Sequence, residues 1–109
     1  MGWVSHLQDS GFTVRTTDVP DVRPIKIENE VPPRLGSCHT ALVDGYVIEG
    51  HVPASDIQRM LSEGPDIRGL AVPGMPIGSP GMEGPNARGY DVYAFDRRGD
   101  ANVYSTHGK

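Results

Sequence analysis

Apolar side chains recur along this chain in short stretches whose spacing tells helices from strands. From Trp3 to Ser10, the residues Trp3, Val4 and Leu7 fall at helical spacing, and Gly11 follows as a left-handed stop, so a short helix is expected to open the chain. Phe12-Thr13-Val14-Arg15-Thr16 then alternates apolar and polar side chains, which predicts a half-buried strand that Pro20 breaks. Residues 21–29 carry Pro24 where a first turn would lie, with Val22, Ile25 and Glu28 stepping by three. A second helix is expected there, with Ile27 off its stripe.

The sharpest local signal is Thr40-Ala41-Leu42-Val43, then Asp44-Gly45, then Tyr46-Val47-Ile48-Glu49. Asp-Gly tolerates the two positive φ angles of a type I′ turn, so an antiparallel hairpin is predicted. After it, Pro53, Asp56 and the stripe Ile57, Met60 and Leu61, closed by Gly64-Pro65, predict a third helix. Gly and Pro are dense between Leu70 and Gly89, which points to a long ordered loop anchored by Met75, Ile77 and Met82. Tyr90–Phe95 and Asn102–Ser105, separated by Asp96-Arg97-Arg98-Gly99-Asp100, predict a closing strand or hairpin.

Length bounds this picture to a single domain over residues 1–109, with a modest core. The net charge is −4 and no run of Lys or Arg occurs, which disfavours a nucleic acid or an anionic membrane surface as partner. Apolar runs such as Ala41-Leu42-Val43 fall far short of the roughly 20 residues of a membrane span, so no membrane insertion is expected. Met1-Gly2-Trp3-Val4-Ser5-His6 lacks the basic and apolar regions of a signal peptide. One cysteine, Cys38, excludes an internal disulfide. There is no phosphate-cradling glycine turn before a helix, no zinc-type cysteine pair and no nucleophile with a base in sequence context.

The order helix, strand, helix, hairpin, helix is what remains of a thioredoxin-like fold once its first strand is removed, an architecture that does not by itself confer a function. Three segments say more: Ser37-Cys38-His39-Thr40-Ala41, Gly45–Pro53 (Gly-Tyr-Val-Ile-Glu-Gly-His-Val-Pro), and Gly69–Pro76 continuing through Gly78-Ser79-Pro80-Gly81-Met82-Glu83. Together they resemble the family of small metal-binding proteins that includes the copper-resistance protein CopG, over a stretch from about Gly2 to Phe95. The resemblance implies an α/β, thioredoxin-like sandwich, here with its first strand missing, a central β-hairpin and a long Gly/Pro-rich loop. It also implies export to the bacterial periplasm and copper held by thiolates at the usual active-site end of the fold. In the family, a strand and a cysteine cluster resembling Cys-Gly-Cys-Cys come just before the stretch that looks like Gly2–Leu7. Met1 is therefore expected to be an internal methionine of a longer form that carries the signal peptide and those cysteines. In the present chain the metal site would be incomplete and its affinity weak or absent.

Within that expectation Cys38 is the foremost metal candidate, its sulfur joining thiolates on the first helix; by pattern alone the favoured reading is a small buried hydrophobe. Sulfur suits the task because Cu(I) is soft and is selected by thiolates and thioethers, whereas carboxylates favour hard ions. His39 ranks behind Cys38, because neighbours on an extended strand point to opposite faces; its other reading is a structural imidazole bonded to the preceding loop. His51 reads as structural, and His6 and His107 as exposed. Met75 and Met82 lie seven residues apart, up to roughly 23 Å if extended, so only a turned loop could bring both thioethers to one ion; both also read as core fillers.

The function expected is Cu(I) binding for periplasmic copper resistance, as sequestration or as handover to a copper donor or acceptor protein. Two other classes stay open: a thiol–disulfide redox protein, whose cycle one cysteine cannot complete within the chain, and a metal-independent module that binds a partner protein through the Pro-Gly-Met loop. Whether the chain is an enzyme is left undecided. A missing first strand would bare a sheet edge, a template for association, so a homodimer is also expected.

Overall fold

The computed structural model describes residues 2–16, 20–32, 35–37, 39–74, 76, 78–82 and 89–108. Helices α1 (Gly2–Asp9) and α2 (Arg23–Glu28) precede the hairpin β1 (Thr40–Val43) and β2 (Tyr46–Glu49). Helix α3 (Ala54–Glu63), then β3 (Gly69–Ala71), β4 (Tyr90–Phe95) and β5 (Ala101–His107) complete the chain. The five strands form one sheet in the order β1-β2-β3-β4-β5, antiparallel at every junction except the parallel β2–β3 pair that α3 connects.

The local signals explain most of these boundaries. Asp44 and Gly45 adopt φ of 48° and 84°, the doubly positive turn expected of Asp-Gly, and they set Val43 opposite Tyr46. Pro24 occupies the first turn of α2, where its missing N–H is not needed. Pro53 precedes α3 in extended conformation, Asp56 lies in its first turn, and Gly64 closes it at φ 60° with its N–H on the Met60 carbonyl.

Two expectations do not hold. Phe12–Thr16 form no strand; Phe12 and Val14 pack against the core as irregular chain, so their alternation is met by burial without a ladder partner. The apolar start of the Gly/Pro-rich stretch is strand β3, lying between β2 and β4, so the irregular loop begins only after Ala71.

Both faces of the sheet are covered. On one, Ile48, Leu70 and Val92 pack with Trp3 and Leu7 of α1 and with Ile57 and Met60 of α3. On the other, Val47, Ala71 and Phe95 pack with Val31 and Leu35 from the segment after α2. Successive residues of β2 thus serve opposite faces, and Glu49 falls on the same face as Val47, toward α2.

Candidate metal centre

The residues flanking the hairpin meet at one end of the sheet. His39 directly precedes β1 and His51 closely follows β2, so the β1–β2 pairing brings them together: the Gly50 N–H bonds the His39 carbonyl at 3.0 Å, and the two imidazole centroids lie 5.1 Å apart. Trp3 of α1 joins them, its indole 4.5 Å from His39 and 6.5 Å from His51. The indole Nε1 donates to the Val52 carbonyl at 2.8 Å, which fixes the ring against the chain that carries His51.

His51 is 7 % exposed, and its Nδ1 lies 2.6 Å from the Pro80 carbonyl. A carbonyl only accepts, so Nδ1 carries the proton and Nε2 of the neutral ring keeps its lone pair. A backbone carbonyl on the far nitrogen is also the usual way a metal-binding imidazole is oriented. His39 is half-buried, and its pKa is lowered from 6.5 to about 4, chiefly by burial and then by the neighbouring His51 and Lys26, with a backbone hydrogen bond at Gly50 working the other way. At neutral pH His39 is therefore uncharged, the form that coordinates metal.

Pro80 and Gly81 of the Gly/Pro-rich loop lie against His51 and Trp3. Gly81 adopts φ +90°, and a β-carbon there would come within 2.8 Å of the Trp3 amide nitrogen and 3.0 Å of His51 Nδ1. Only glycine permits so close an approach. The turn that contains Gly81 is held by Met82 N–H to the Ser79 carbonyl and Gly78 N–H to the Met82 carbonyl, both 2.8 Å. Met82, half-buried, therefore stands next in the chain to the residue that touches Trp3 and His51.

Of the four candidates from the sequence, His39 and Met82 lie at this end of the sheet, while Cys38 and Met75 fall outside the described residues. His51 belongs with His39 although its position in the sequence suggested structure alone; the one signal for it was the antiparallel hairpin, whose register sets its two ends side by side. His6 and His107 are not exposed as expected. His6 Nε2 accepts the Ala54 N–H at 3.0 Å, and His107 Nε2 lies 2.7 Å from Asp56 Oδ2 while its ring stacks on Tyr90. Among the described residues no group of three or more His, Cys, Asp or Glu converges as a metal cage.

Residues 35–82 match the family described as "Protein of unknown function, DUF411". Two solved structures resemble the whole chain. One, titled "Copper resistance protein copG- Form 2", is 44 % identical with a TM-score of 0.91, over 98 % of this chain and 86 % of that one. The other, "Copper resistance protein copG- Form 1", is 43 % identical with a TM-score of 0.92, over 99 % and 86 %. The chain belongs to the CopG family. Membership agrees with the thioredoxin-like α/β architecture expected from the resemblance, and the residues 35–82 matched by the family model include His39, His51, Gly81 and Met82. No curated protein matches the chain.

Proposed function

We propose that this chain is a copper-resistance protein of the periplasm whose cargo is Cu(I), with Cys38, His39, Met75 and Met82 as its ligands. The observation that carries this reading is the pair of imidazoles His39 and His51, 5.1 Å apart at one end of the sheet, with Cys38 next to His39 in the sequence. One ring is held neutral by burial and the other is oriented by the Pro80 carbonyl. Thiol, imidazole and thioether donors are the set that suits Cu(I) over harder ions. The family relationship to proteins titled copper resistance proteins supports the same cargo.

The test is an anaerobic Cu(I) titration against a competing chelator, followed also by the emission of Trp3, the sole tryptophan. Binding that quenches Trp3 and weakens at least about tenfold in both Cys38→Ser and His39→Ala is the expected result. Equal affinity in all three proteins would overturn the assignment.

A further inference from the structure

Beneath the candidate site lies a buried carboxylate with an unusual set of donors. Glu49, the last residue of β2, is fully buried, and both its oxygens are engaged. Oε2 accepts the Ser37 N–H at 2.6 Å and pairs with the Lys26 ammonium of α2; Oε1 accepts the Thr40 hydroxyl at 2.6 Å. Lys26 Nζ also donates to Thr40 Oγ1 at 3.0 Å. Taking a carboxylate fully out of water costs more than packing a hydrophobe in its place, even when the charge is paired. The location of its partners shows what the arrangement supplies.

Ser37 and Thr40 bracket Cys38 and His39, the two foremost ligand candidates. Thr40 lies directly across the ladder from Glu49, so the carboxylate reaches one side of the Cys38–His39 pair from its own register position and the other side through the Ser37 amide. The Ser37 hydroxyl in turn donates to the Gly74 carbonyl, and Ser37 and Gly74 form a parallel bridge, which carries the restraint into the start of the Pro-Gly-Met loop. Gly50 makes room for this approach: a β-carbon there would fall 2.5 Å from the Val72 carbonyl and 2.7 Å from Ser37 Oγ.

We propose that Glu49 is a positioning residue of the candidate copper site, its carboxylate, paired with Lys26, gripping the chain at Ser37 and at Thr40 so that His39 is presented in one fixed geometry. The proposal rests on the copper reading above. Glu49 touches no metal; it acts through the segment it holds. The negative charge is what is required: a glutamine could keep its oxygen toward Ser37 and Lys26 and turn its N–H₂ to the Thr40 hydroxyl, which would then accept, but it would take the counter-charge from the Lys26 ammonium and reverse the Thr40 bond.

The test compares the unsubstituted protein with Glu49→Gln and Cys38→Ser. Folding is checked by circular dichroism, and two readouts follow: Cu(I) affinity by chelator competition, and the proton resonances of the His39 ring, which the Trp3 indole 4.5 Å away shifts by its ring current. The expected result is a folded Glu49→Gln protein whose His39 resonances move toward ordinary values and whose Cu(I) affinity falls at least about tenfold, the range seen when groups that orient a ligand are removed. A folded Glu49→Gln protein with unmoved His39 resonances and undiminished affinity would overturn the proposal. If Cys38→Ser binds as well as the unsubstituted protein, the copper reading fails. The grip of Glu49 on the segment is then decided by the His39 resonances alone, and unmoved resonances overturn it. Should Glu49→Gln not fold, Thr40→Val, which removes the downstream tether and leaves the Glu49–Lys26 pair, is judged by the same two readouts.

Discussion

The chemistry of His39 illustrates how neighbours remake a side chain. Its lowered pKa, about 4 against 6.5, follows from burial beside Trp3 and from the nearby His51 and Lys26. Between those two values the unfolded chain binds a proton that the folded chain refuses, so stability rises with pH across that window. In the metal-free protein the cost of charging the buried ring is absent above about pH 6.5, grows as pH falls and is complete below about pH 4. Half-burial limits it to about 1–2 kcal/mol, after discounting the shift for solvent screening. Urea unfolding at intervals from pH 4 to 7 measures the slope, and His39→Gln is expected to flatten it. That His39 would stand free of charge was not legible in its neighbours along the chain, because the groups that set it lie on α1, α2 and the turn after β2.

Local elements were legible wherever backbone chemistry alone dictates the conformation. The hairpin turn is such a case, since Asp44 and Gly45 both take positive φ. Gly45→Ala would place an ordinary side chain at φ 84° and is expected to cost about 1–2 kcal/mol, read as a lower urea midpoint with unchanged slope. The addition meets no neighbouring atom within 4 Å, so the loss would be one of backbone strain and not of packing. Alternation was a poorer guide. Phe12 and Val14 bury their side chains without joining the sheet, and three-residue β3 gives too short a run to announce itself beside the prolines that follow.

The sheet as a unit depends on the junction between β2 and β3, its single parallel pair. Gly69 faces Val47 there, and a β-carbon on it would fall 1.8 Å from the Val47 carbonyl oxygen, so glycine is what lets the strands approach. Because that neighbour is the backbone of fully buried Val47 in the middle of the sheet, it cannot move aside without parting the hairpin from β3, β4 and β5. Gly69→Ala is therefore expected to destabilise the fold by about 3 kcal/mol, the upper end for overpacking. Thermal melting measures the loss. Since the hairpin carries His39 and His51, the same variant is expected to lose the Trp3–His39 ring-current shift before global unfolding.

Residues whose conformation depends on their own backbone and nearest neighbours were readable directly: Asp44-Gly45 for the turn, Pro24 for the start of α2, and Gly64 for the end of α3. Family membership was readable too, in the segments around Cys38, Gly45–Pro53 and Gly69–Met82, and the copper expectation with it. The partners of each polar side chain were not. His51 meets Pro80 across 29 positions, Trp3 meets Val52 across 49, and Glu49 collects Lys26 from α2 and Ser37 and Thr40 from the segment that enters β1. Such contacts exist only once the hydrophobic faces of the sheet have chosen their layers, because burial, and not sequence proximity, decides which polar groups must satisfy one another.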